Sequence, residues 1–119
     1  MLNSIYRLIE QYVWPISFVM LAVVTMASLL PLPTLPDVPG SDKTHHLISY
    51  ALMVLPVAFI RPKFWLSFIV FIAAWSGVIE LIQPFVNRYG EWLDLLANVV
   101  GVFIGYVFAC FLKLIGVDR

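Results

Sequence analysis

The chain has 119 residues, 62% of them hydrophobic and only 12% charged, with a mean hydropathy of +0.97. A soluble domain usually carries about 25% charged residues to cover its outward faces, so a water-exposed globule is excluded and the bilayer is the expected solvent. The formal net charge is zero, which leaves no basic excess for nucleic acid and no polybasic tail for an anionic lipid surface.

The length suits one membrane domain over residues 1–119. In chain order, Ile5, Leu8, Ile9 and Tyr12 recur at helical spacing opposite Asn3, Arg7, Glu10 and Gln11. This pattern predicts a short amphipathic helix in the membrane interface. An apolar run at 13–30 follows, with Pro15 in its first turn, where a missing N–H is tolerated. The run is longer than a signal-peptide core of about 7–15 residues and lacks an A-x-A site, so it is read as a retained first span. The segment PLPTLPDVPGSDK comes next, and its prolines predict an extended connection.

The second span is read over 43–60, with Pro56 predicting a kink, and the charged turn Arg61-Pro62-Lys63 ends it. The third covers 64–83 and stops before Pro84; the fourth covers 92–115. At 1.5 Å rise per residue each reaches about 27–36 Å, enough for a hydrocarbon core of about 30 Å. The expected fold is therefore an all-α membrane protein, a four-transmembrane-helix bundle with an N-terminal interfacial helix.

Four spans put Arg7, Arg61, Lys63, Lys113 and Arg119 on one side and Lys43 and Arg88 on the other. The positive-inside rule makes the first side cytoplasmic, with both termini there. Trp14 and Trp65 would mark the inner interface, and Tyr89 and Trp92 the outer one. On helix four, Ala97, Gly101, Gly105 and Ala109 form a small-residue stripe, and Ala73 and Gly77 do so on helix three. These stripes predict close packing of helices three and four. Cys110, the single cysteine, lies in an apolar run and is read as a small buried hydrophobe with no disulfide partner.

The polar residues are not spread evenly. Asp42, Lys43, His45 and His46 open helix two, Glu80 and Gln83 close helix three, Asn87, Arg88 and Glu91 fill the turn, and Asp94 and Asn98 open helix four. All fall at one end of the bundle. Lys43, His46 and Tyr50 share a helix face by spacing, as do Ser76, Glu80 and Gln83, and Asp94 and Asn98. Glu80 and Asn98 lie about 6 Å inside their helix ends. A charge near the bilayer centre costs roughly 2.5–3.5 kcal/mol on insertion scales, less toward the interface, so such groups face a bundle interior or wet cavity. The bland alternative is polar glue, with Lys43 and Arg88 pairing Glu80 and Asp94 at about 0.6 kcal/mol per contact.

The ordered set Asp42-Lys43-x-x-His46, Tyr50, Glu80-x-x-Gln83, Arg88 and Asp94-x-x-x-Asn98-x-x-Gly101 resembles the VanZ-like family of small bacterial membrane proteins, over residues 41–106. The resemblance implies four or five spans, residence in the bacterial cytoplasmic (inner) membrane, and relation to a protein associated with low-level teicoplanin resistance. It places the family motif on Asp42, Lys43, His46, Tyr50, Glu80, Gln83, Arg88, Asp94 and Asn98.

Two functions fit. In the first, the cluster binds or transforms a lipid-linked or amphipathic envelope molecule. Lys43 and Arg88 hold an anionic head group, Glu80 or Asp94 is a general base, and His46 shuttles the proton. In the second, the protein is a non-catalytic accessory or assembly factor, a monomer or small homo-oligomer. His46, Glu80 and Asp94 are also a ligand set common for zinc or iron, but no H-x-x-H or H-E-x-x-H spacing supports it. Neither a metal nor a cofactor is expected.

Overall fold

The computed structural model describes residues 2–30, 42–86 and 92–116. The proline-rich connection at 31–41, the turn carrying Asn87, Arg88, Tyr89 and Glu91, the side chain of Asp42, and Arg119 lie outside the described residues. Four helices follow in order: α1 Leu2–Leu29, α2 Asp42–Ile60, α3 Trp65–Ile82 and α4 Trp92–Leu114. A 3-10 turn, Gln83–Val86, extends α3, so Pro84 tightens the helix rather than ending it abruptly. All four helices are long and apolar enough to cross a membrane. Their outer faces carry exposed Val19, Met26, Val70, Phe103 and Phe111, a surface suited to lipid tails.

The expected division of the first helix is visible as a break in backbone geometry. Tyr12 has φ −113° and ψ 18° inside α1. The cause lies at Pro15, which lacks an N–H and whose ring crowds the carbonyl one turn back. The apolar face of the N-terminal segment is shared between the surroundings and the bundle. Leu8 and Tyr12 are exposed, while Tyr6 and Ile9 turn inward, Tyr6 meeting the Phe59 ring edge-on at 5.6 Å. The break re-aims the segment toward the lower part of α2. Through Pro56 α2 continues without interruption.

The core is built around α2. Tyr50, Met53, Val54, Val57 and Ala58 are at most 1% exposed and pack with Val13, Phe68, Ile72, Val102 and Ala109. The principal neighbour of α2 is α4, and glycine makes the approach possible. A Cβ at Gly101 would overlap the carbonyl oxygen of Leu47, and one at Gly105 that of Ala51; the corresponding Cα atoms lie at 3.1 and 3.0 Å. The predicted partner of this stripe is therefore wrong: it packs on α2, not α3. The reason is that α3 already meets α4 through a side chain. The nearest atom to a Cβ at Gly77 is Leu95 Cδ1 at 4.0 Å. Gly77→Ala is expected to be neutral or stabilising, up to about 1 kcal/mol from helix propensity. Its unfolding midpoint in a detergent titration should not fall below wild type.

α1 is fastened to α3 along its length. Phe68 receives Trp14 and Phe18 at centroid distances of 5.2 and 5.5 Å. Higher up, Trp75 Nε1 donates to Thr25 Oγ1 at 2.9 Å. Trp75→Phe keeps most of the ring and loses the donor, so an expected loss of about 0.5–1.5 kcal/mol should appear in the same titration.

At the opposite end from the polar cluster, Arg61 has φ 57° and Phe64 φ 70° in the tight α2–α3 turn. The Arg61 guanidinium folds back over Trp65 at 4.9 Å, donates from Nε to the Ala58 carbonyl at 3.1 Å, and reaches Cys110 Sγ from Nη2 at 3.3 Å. Cys110 is thus half-buried and accepts a hydrogen bond from a cation, which corrects its reading as a buried hydrophobe.

Candidate functional site

The polar residues at the other end come from three helices whose ends meet: the start of α2, the last turn of α3 and the start of α4. His46 and Glu80 are each 8% exposed, Asp94 3%, and Tyr50, Gln83 and Asn98 1% each. One ligand-capable atom each from His46, Glu80 and Asp94 lies within 4.8 Å of the others. That convergence could not be deduced from spacing, since the three residues sit on separate helices. It follows from the close α2–α4 contact: Gly101 seats against Leu47, one residue from His46, which brings the start of α4 and Asp94 alongside the start of α2.

Asp94 is the centre of the electrostatics. Its Oδ1 lies 3.7 Å from Lys43 Nζ and its Oδ2 4.0 Å from His46 Nε2. The Lys43 side chain is 47% exposed while that of Asp94 is 4% exposed. The lysine therefore bridges the buried carboxylate and the surroundings, with its ammonium at the mouth of the cluster. The Tyr50 hydroxyl, one turn below His46, is within electrostatic reach of Glu80.

Gln83 of the predicted site and Ser76 on the same helix face have other engagements. Gln83 Nε2 donates to the Ser28 carbonyl at the end of α1, at 3.1 Å. Ser76 Oγ donates to the Ala73 carbonyl one turn back, at 2.6 Å, so it satisfies its own helix. The Gln83 contact adds a fourth helix to the assembly, a contribution missed in the sequence because α1 supplies a backbone group rather than a polar side chain. Gln83→Leu leaves the Ser28 carbonyl without that donor. A destabilisation of about 1–3 kcal/mol is expected, with loosening of α1 readable as faster amide exchange at residues 25–29. Asn98 differs. Among the described residues neither its Oδ1 nor its Nδ2 has a hydrogen-bond partner, although the residue is 1% exposed. His45 is half-buried and does not belong to the three-residue group.

A family profile described as VanZ/LLP1 matches residues 2–113, nearly the whole chain. The chain belongs to this family. No curated protein and no solved structure gives a significant match. The VanZ/LLP1 assignment covers all four helices and every described motif residue, so the resemblance seen at 41–106 extends to α1. Within this VanZ/LLP1 chain, the structure brings together His46, Glu80, Asp94 and Lys43 and keeps Tyr50 and Asn98 buried along the same two helices. Arg88 lies outside the described residues.

Proposed function

We propose that this VanZ/LLP1 protein binds or acts on a lipid-linked or amphipathic envelope molecule, using the polar end of the bundle as head-group site. The observation that carries the reading is the meeting of buried His46, Glu80 and Asp94 within 4.8 Å at the end of membrane-spanning helices. Groups of this kind are expensive at such depth and usually mark substrate or ion pathways. Half-exposed Lys43 stands beside them, and Arg88 lies in the sequence between α3 and α4. Together they suit a phosphate or carboxylate head group. Phospholipids, polyprenyl-phosphate intermediates and lipoglycopeptides such as teicoplanin share that chemistry. Glu80 or Asp94 would act as general base and His46 as proton carrier if a reaction occurs.

The site is proposed to open to the outer leaflet of the bacterial cytoplasmic membrane. Arg7, Arg61, Lys63 and Lys113 fall at the other end of the helices, and Arg119 follows in the sequence; basic ends are retained in the cytoplasm. The test replaces Glu80 by Gln and, separately, Arg88 by Ala, and measures binding and turnover of anionic lipid in nanodiscs. A tenfold or larger loss in either variant supports the reading; wild-type behaviour in both rules the site out.

The Gln83–Ser28 hydrogen bond and the Lys43–Asp94 pair favour a second reading, in which the cluster fixes helix register in a non-catalytic accessory protein. A stoichiometric protein partner recovered from native membranes supports that alternative, whereas co-purified lipid alone supports the first.

A further inference from the structure

We propose that His46, Glu80 and Asp94 form a binding site for a divalent first-row metal ion, for which zinc is the reference. This inference rests on the pocket reading above and adds a resident ion to it. An imidazole and two carboxylates from three different helices offer ligand atoms within 4.8 Å of one another, and all three residues are buried. Two ligands at about 2.1 Å from one ion stand at most about 4.2 Å apart. Three ligands around one tetrahedral ion stand about 3.4 Å apart, so side-chain rotations that move each ligand atom by up to about 1 Å close the set onto a metal. One nitrogen and two carboxylate oxygens suit zinc, manganese or ferrous iron. Three protein ligands also leave a coordination position open, the arrangement of catalytic rather than structural zinc.

Asn98 supplies the independent observation. It lies one helical turn beyond Asp94 on α4, is 1% exposed, and has neither amide atom hydrogen-bonded among the described residues. A buried amide without a partner loses its hydration without compensation, at about 1–3 kcal/mol. A metal-bound water would donate to Oδ1, and an oxygen of an anionic head group held on the ion would accept from Nδ2, the two kinds of partner such an amide needs. The metal thereby links the deep acidic residues to an anionic ligand, which two carboxylates alone would repel. The competing occupant is a proton on His46, which would make the 4.0 Å contact with Asp94 an ion pair.

The full chain, purified with a non-histidine tag and without chelator, should be loaded with Zn²⁺ and assayed by elemental analysis after dialysis. One equivalent per chain is expected. His46→Ala and Glu80→Gln should each weaken zinc affinity tenfold or more, and His45→Ala should leave it unchanged. X-ray absorption on the loaded wild type needs no variant to fold and should report one imidazole nitrogen and carboxylate oxygens near 2.0–2.2 Å. Failure of the wild type to retain zinc after loading, a spectrum without imidazole, or equal affinity in His46→Ala overturns the site. Anionic-lipid binding measured on the same preparation separates the two claims. Lipid bound without zinc removes the metal and keeps the pocket, while zinc bound without lipid removes the head-group reading and keeps the metal.

Discussion

Gly105→Leu is expected to disrupt the bundle, with a loss of at least about 3 kcal/mol. The site of the new side chain is already filled by backbone. A Cβ alone would overlap the Ala51 carbonyl oxygen and lie 3.0 Å from Ala51 Cα. Neither atom can rotate away, so α2 and α4 must part, and the core formed by Tyr50, Val54, Val57 and Val102 opens with them. Lipid provides no hydrophobic drive to pull the helices back together, because the association depends on close packing. Gly101→Leu should behave alike through Leu47 and should also displace Asp94 from His46. A midpoint in SDS titration at the wild-type value for both variants would contradict the α2–α4 seam. Gly77→Ala serves as the tolerated control.

Asp94→Asn gives the second large effect, and its sign separates two chemistries. The substitution keeps shape and removes the charge that faces Lys43 at 3.7 Å and His46 at 4.0 Å. If an ion links the carboxylates to an anionic head group, the variant loses a ligand, and anionic-lipid binding in nanodiscs should fall tenfold or more along with zinc retention. If the head group is held by Lys43 and Arg88 alone, removal of a neighbouring negative charge strengthens binding instead. The account predicts the fall. Stability should suffer less than for a fully buried pair, where removal of one partner costs about 3–5 kcal/mol, because Lys43 is half-exposed and its ammonium can turn to water.

The helices were legible in the sequence because hydrophobic length and charged turns govern membrane spans almost alone. Spans at 43–60 and 92–115 differ from α2 and α4 by a single residue at one end. Which helices touch was less legible. Gly101-x-x-x-Gly105 announces a close approach but carries no mark of its partner, and the choice of α3 over α2 failed for that reason. The polar cluster stood out by the cost of each group at depth. His46, Glu80 and Asp94 could be named together as a ligand set, but the metal reading lacked support, since metal-ligand motifs are recognised by spacing along one chain segment, and here each ligand arrives on its own helix. The contact of Gln83 with Ser28 was invisible for a related cause: the acceptor is a carbonyl, which every residue has.

The most direct measurement is an experimental density map of the full chain in lipid, at a resolution that shows side chains and bound groups. The account predicts that His46, Glu80 and Asp94 enclose one common volume at the end of the bundle, with density for an ion or a head group between them and Lys43 at its mouth. Those three side chains splayed toward the acyl chains, or separated onto different faces of the bundle, would contradict it.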